Sequence, residues 1–413
     1  MNRPADSADV RRANLSLVLR HIEAHGPCAR TEIAAATGLV HASVTALVAD
    51  LVERRLVEEA GAAVSAGRGR PRRLLRLVPE RVWTVAVQVN RWDIRLRVAD
   101  LAGSAVLTER ASHQAPPGEP ELVAEAIAQV VARAIAQVDG VHLGRVVIAV
   151  PGPVVGGLVA AAIPFGWGTT DLAALVTGRL PDLQCPVEVV NDANMAALAE
   201  YHALAATGSA HPDTVAYVRA DVGVGGGLLI GGRIHAGSHG MAGEIGHIPV
   251  SLDGPPCKCG SSGCLVTYLG LGSLTTAAGL GGFTPGQDAA AVRAELDRRL
   301  RSGEPRSVAA LHDAGHALGA AMLAVASAAD AGAAILGGYL ADWAPWLAPG
   351  IDARLTGRRT AMSAVGFDVS VGVLGADATL HGAVQVGRDR IFDDPTTVPT
   401  GGGAVPATAV HCL

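Results

Sequence analysis

Three thiols fall within eight residues in Cys257-Lys258-Cys259-Gly260-Ser261-Ser262-Gly263-Cys264, and His247 lies ten residues upstream. Glycines let such a segment bend tightly around one point. A closed structural zinc site takes four ligands, commonly three cysteines and one histidine. The spacing therefore predicts a structural Zn2+ held by His247, Cys257, Cys259 and Cys264. With four protein ligands no position stays open for a reacting water, so the metal would be architectural. The competing reading is three reduced, buried cysteines. Cys28, Cys185 and Cys412 are scattered, and clustering of the others favours metal over disulfides.

A second chemistry lies near the N-terminus, where Arg68-Gly69-Arg70-Pro71-Arg72-Arg73 forms a dense basic run. Arginines alternating with glycines suit a narrow, electronegative minor groove. The elements around this run fit that use. Leu15, Val18, Leu19 and Ile22 repeat at helical spacing before Gly26-Pro27 ends the first helix. A short helix from Thr31, a turn at Gly38 and a longer helix over 40–54 follow, the last with Val44, Leu47, Val48, Leu51 and Val52 as its buried stripe. His41, Ser43 and Thr45 then face outward at the start of a helix able to enter the major groove, which is about 12 Å wide. Two β-prone stretches flank the basic loop as a wing. A winged helix-turn-helix over residues 1–80 is predicted, with DNA contacts from His41, Ser43, Thr45, Arg68, Arg70 and Arg72. The competing reading is a small helical domain with a solvated basic loop.

The chain has 413 residues and a net charge of −5, split as +3 over residues 1–80 and −8 over the rest. A basic head on an acidic body suits a DNA-binding module joined to a sensing module. With 49% hydrophobic residues and 51 glycines, the composition fits an α/β protein rather than a disordered one. No uninterrupted apolar run reaches the roughly 18 residues that span a bilayer. The polar start is no signal peptide, so no membrane partner is expected and the expected compartment is the cytoplasm. Beyond Val82 strands and helices alternate. The predicted units are a first lobe over 81–190 and a second over 191–393, whose last helix returns to the first lobe. A tail over 394–413 lacks periodicity and is expected to be disordered.

From about Arg12 to Val386 these residues resemble the ROK family (repressors, open reading frames and sugar kinases). The resemblance is carried by Gly223-Val224-Gly225-Gly226-Gly227, Ala242-Gly243-Glu244-Ile245-Gly246-His247 and the cysteine cluster. Asn191-Asp192-Ala193-Asn194, Pro151-Gly152-Pro153, Gly166-Trp167 and Leu336-Gly337-Gly338 follow in family order. It implies a two-lobed, actin/hexokinase-like α/β fold, with Asn191, Asp192, Glu244 and His247 lining a sugar pocket between the lobes. It also implies a homodimer or homotetramer.

Departures from the pattern matter more for function. Where the family's kinases carry an Asp-x-Gly-x-Thr phosphate loop, this chain has Gln88-Val89-Asn90-Arg91. Asp221-Val222 replaces a Gly-Thr pair, placing a carboxylate that would repel phosphate. Phosphoryl transfer rests on positioning and neutralising phosphate, so these losses predict no kinase activity. Asp192 is then a hydrogen-bond acceptor for a hydroxyl, or only a carboxylate stabilised by a helix dipole. Pro164 and Val266 replace an Asn and a Glu expected at the sugar, which alters hydroxyl recognition. The expected function is a transcription regulator, a repressor, that binds a double-stranded DNA operator and answers to a sugar or sugar-derived effector. The alternatives are an active sugar kinase with a DNA-binding head, and a regulator controlled by a protein partner.

Overall fold

The computed structural model describes residues 6–63, 72–138, 141–208, 212–283, 287–361 and 366–401. The head opens with α1 (Ser7–His25), capped reciprocally by Asp6 and Asp9. β1 (Cys28–Ala29), α2 (Arg30–Thr37) and α3 (His41–Glu53) follow, then the hairpin of β2 (Val57–Ala63) and β3 (Arg72–Leu77). Gly38 ends α2 in the left-handed region at φ 71°, and the chain bends by 117° into α3. Leu15, Leu19 and Ile22 of α1 meet Val44, Leu47, Val48 and Leu51 of α3 in one buried core. β1 pairs with β3, giving a three-stranded sheet in the order β1-β3-β2. A strand of two residues has no alternation by which a sequence could announce it.

The first lobe runs through β4 (Val82–Val89), β5 (Asp93–Ala99), β6 (Ala105–Ser112), α4 (Pro120–Ala136) and β7 (His142–Val150). The hairpin of β8 (Val154–Val155) and β9 (Leu158–Val159), then α5 (Leu172–Thr177) and β10 (Val187–Asn191), complete it. Its sheet order is β10-β7-β4-β5-β6. β4 is buried along its whole length because both faces are covered. Val85, Val87 and Val89 meet α4, while Ala86 meets a helix from the far end of the chain.

The second lobe holds α6 (Asp192–Ala206), β11 (Thr214–Ala220), β12 (Val224–Ile230), β13 (Arg233–Ile234), α7 (Val266–Leu269), α8 (Leu271–Ala277) and α9 (Ala289–Arg301). α10 (Pro305–Ala329), β14 (Ala333–Gly338), α11 (Tyr339–Asp342), α12 (Ala344–Ala361) and β15 (Asp368–Val371) follow, with sheet order β13-β12-β11-β14-β15. By length and composition alone α10 could cross a membrane, but Leu311, Leu318 and Met322 bury it in the core of this lobe. α13 (Ala378–Asp393) ends the series and lays Leu380, Ala383 and Val384 on the first sheet beside Met195 of α6. α6 in turn lays Ala196, Ala197 and Leu204 on the second sheet. The two helices form the joint between the lobes.

The expected disordered tail is corrected for residues 394–401. Pro395–Thr397 form a helical turn, and Val398 is fully buried in the core of the head. The anchors are backbone carbonyls: Arg54 donates to Thr396 O (3.1 Å) and Val398 O, and Arg81 donates to Pro399 O (3.0 Å). Tertiary docking orders a segment that has no periodicity of its own. Residues 402–413 lie outside the described residues.

Candidate functional site

Two loops of the second lobe converge on one point. Glu244 opens a helical turn, Ile245–His247, that lies against β12 so closely that a Cβ on Gly246 would stand 2.2 Å from the Val224 carbonyl oxygen. The same turn presents His247 to the cysteine segment. His247 Nδ1 and Cys257 Sγ are 3.6 Å apart, Cys259 Sγ and Cys264 Sγ 3.7 Å, and all four ligand atoms lie within 4.8 Å of one another. A tetrahedral ion with Zn–S bonds of about 2.3 Å and a Zn–N bond of about 2.0 Å needs ligand–ligand edges of roughly 3.5–3.8 Å. The donor set fits zinc in chemistry, and the His247–Cys257 and Cys259–Cys264 separations fit it in spacing. A metal there would tie the Glu244 turn to the cysteine loop, with no open coordination site.

Asp192 is the first residue of α6. Asn191 caps that helix by accepting the Asn194 N–H (2.8 Å) and donates to the Gly152 carbonyl (2.8 Å). The side chain named in the sequence as a ligand contact is thus committed to structure at both ends. Asp192 accepts the Ala193 N–H at 2.7 Å through Oδ1 and faces Arg219 Nη1 at 3.7 Å through Oδ2. Burial raises the Asp192 carboxyl above the ordinary range, and Arg219 partly offsets this. Glu244 is pushed up to about 7, first by burial and then by the charge on Asp192. Two carboxyls therefore share one enclosed region.

Arg219, which the sequence reading passed over, organises this region. It donates to Thr379 Oγ1 at 2.8 Å and forms an ion pair with Asp221. Burial alone would lower its guanidinium, but Asp221 and Asp192 outweigh that and keep it charged. Asp221, half exposed, shares this one guanidinium with Asp192, so the carboxylates outnumber the cation here. A signal existed in Tyr217-Val218-Arg219-Ala220-Asp221, an arginine inside an apolar strand with a carboxylate two residues on, on the same side of the pleat.

The segment Gln88–Arg91 makes its hydrogen bonds within the first lobe. Gln88 is buried, with its Oε1 lacking a partner. The Asn90 N–H bonds to Asp93 O at 2.8 Å, making a tight turn into β5. Arg91 donates to Ala115 O (2.9 Å) and stacks on Trp92, with 4.2 Å from Arg91 Cζ to the ring centroid. Its guanidinium is held by neutral groups of the protein. Pro164 lies in the turn Ile163–Phe165, and Val266 begins α7.

In the head, His41 and Thr45 are exposed and Ser43 is half-buried on the outer side of α3. The Thr45 hydroxyl donates back to His41 O at 2.9 Å, leaving its oxygen as an acceptor. Val40 precedes the helix and cannot cap it, so the first-turn N–H groups have no side-chain acceptor. Arg11, Arg12, Arg30, Arg54, Arg73 and Arg76 are paired with carboxylates of the head itself. Arg68 and Arg70 lie outside the described residues, and Arg72 begins β3.

Against known proteins, the ROK family model matches residues 84–389, and a MarR family model matches residues 16–69. The xylose repressor of Bacillus subtilis (strain 168) is 28% identical over 267 residues, which cover 64% of this chain and 67% of the repressor. A solved ROK family transcriptional regulator, described as a homolog of the E. coli MLC protein, superposes with a TM-score of 0.76 at 21% identity. That superposition covers 93% of this chain and 97% of the regulator, and it establishes the fold. A ROK family glucokinase from Streptomyces griseus, solved with glucose and AMPPNP, gives a TM-score of 0.59 at 28% identity and covers 74% of this chain and 99% of the kinase.

Proposed function

The chain belongs to the ROK family, and from that premise we propose that it is a DNA-binding transcription regulator, acting as a repressor, without kinase activity. The observation that carries the proposal is the pairing of a MarR-type winged head with a body whose phosphate-facing turns are tied up internally. His41, Ser43 and Thr45 read the major groove, and Arg68, Arg70 and Arg72 of the wing contact the minor groove and backbone. The xylose repressor among its relatives supports this reading, and the MLC homolog shares the fold of head and body. HTH proteins commonly bind as dimers on paired half-sites, which favours a homodimer or a homotetramer on the operator.

The effector binds between the lobes at Asp192 and Glu244, on the turn that zinc would steady through His247. Its class is a sugar or sugar derivative. Asp192 and Glu244 offer acceptors, and Arg219, the cation beside them, is already bonded to protein groups. That balance suits hydroxyl donors better than a phosphate. A thermal-shift series over neutral hexoses, pentoses and their phosphates tests this: the reading expects stabilisation by a neutral sugar, and stabilisation by phosphorylated sugars alone overturns it. ATP-dependent phosphorylation of any of these sugars by the zinc-loaded protein would overturn the non-kinase reading.

A further inference from the structure

The two ends of α13 sit in two different sites. At its N-terminal end, Asp377 accepts from Arg95 and, at 2.7 Å, from Arg97 of β5. Thr379 Oγ1 accepts from Arg219 (2.8 Å) and donates to the backbone oxygen of Asp192 (3.2 Å). The first turn of α13 is therefore bonded to both members of the cleft ion pair. Along its middle, the backbone touches both lobes directly. A Cβ on Gly382 would stand 2.0 Å from Met195 O in α6, and one on Gly387 would stand 2.3 Å from Thr84 Cγ2 in β4.

The C-terminal end belongs to the head. Ile391 and Phe392 are buried in the same core as Leu15, Leu19 and Ile22. Arg20 of α1 bonds Asp389 (3.0 Å) and Asp393 (2.8 Å), and Arg388 pairs with Glu23 while donating to Leu101 O at 2.8 Å. Arg20 and Arg388 both lie against the Phe392 ring, 5.5 and 5.7 Å from its centroid. At 1.5 Å per residue, Thr379 and Phe392 are about 20 Å apart along the helix.

We propose that α13 is the lever by which occupancy of the cleft sets the pose of the DNA-binding head, with Arg219 and Thr379 as its input. This rests on the reading above that an effector binds at Asp192. A ligand hydroxyl that bonds Asp192 competes with Arg219 for the same carboxylate. When Arg219 shifts, Thr379 loses or re-aims a bond, and the first turn of α13 follows. Side chains cannot cushion that shift at Gly382 or Gly387, so the helix moves as a unit, as packed elements do. The head, pinned at Arg20, Glu23 and its core, moves with the far end.

Hydrogen exchange on the full-length, zinc-loaded protein tests the lever without DNA or effector. Thr379→Val removes the hydroxyl at nearly constant volume, and Thr379→Ser keeps it. The expected result is at least threefold faster exchange over residues 7–25 in T379V and wild-type exchange there in T379S. Adding Arg20→Ala and Arg388→Met should cancel the further effect of T379V on the head. Unchanged exchange over residues 7–25 in T379V overturns the lever, and so does an equal rise in T379S, which would mark a packing defect. Because no DNA or sugar is present, failure here leaves the regulator reading intact. Failure to bind DNA would likewise leave this result standing.

Discussion

The cysteine loop and the segments Gln88–Arg91 and Arg219–Asp221 are held in different ways. Around His247 the chain brings four donor atoms to within 4.8 Å of one another. At Gln88–Arg91 and Arg219–Asp221 it has turned inward, and charges that could meet a ligand meet protein instead. The cluster offers its donor atoms to one common point, whereas the two other segments bond to groups of the protein itself.

That comparison can be broken at several points. The largest effect should come from the metal side. Cys264→Ser, at a fully buried ligand, should leave less than half an equivalent of zinc by elemental analysis. It should also cost about 5 kcal/mol, lowering the thermal midpoint by roughly 10–20 °C. A zinc-free protein of undiminished midpoint would reduce the cluster to three buried cysteines. Next, Arg219→Met strands Asp192 and Asp221 and should destabilise the protein by about 3 kcal/mol in urea, since one carboxylate is half exposed. Restoring balance with Asp221→Asn should recover part of that loss; if it recovers none, the pair is not what closes the turn.

Glu244 gives a pH test of comparable size. Burial holds its carboxyl near 7, above the ordinary 4.5, so its contribution to stability is full below about 4.5 and is lost as pH rises through 7. Glu244→Gln should flatten that slope, by up to about 3 kcal/mol across the window. A wild-type slope in E244Q would place the titration elsewhere. The smallest effect is expected in the wing. Arg70→Ala should weaken DNA binding by about 1 kcal/mol and reduce the salt slope by about one, and equal affinity and preference would remove the wing from recognition.

The parts legible in the sequence are those whose cause is local. Cysteine spacing predicts the metal loop because its ligands are near neighbours in the chain. The stripe of α3 predicts the helix-turn-helix because helical period decides which face is buried, although Val52, expected in that stripe, is exposed near the helix end. The parts that were not legible depend on distant partners. Val398 is ordered by Arg54 and Arg81, over three hundred residues away. Asn191 carries a motif that resembles a ligand site, yet the Gly152 carbonyl and the first turn of α6 claim its side chain. For Arg219 the local pattern with Asp221 is a signal, but its bonds to Asp192 and Thr379 come from distant parts of the chain.

Selection of double-stranded DNA from a random-sequence pool by the full-length, zinc-loaded protein tests the central claim most directly. The account predicts enrichment of paired half-sites centred about 10 bp apart, or a multiple of that, with enrichment lost when Arg68 and Arg70 are both replaced by alanine. A folded, zinc-loaded protein that enriches no sequence over the starting pool would contradict it.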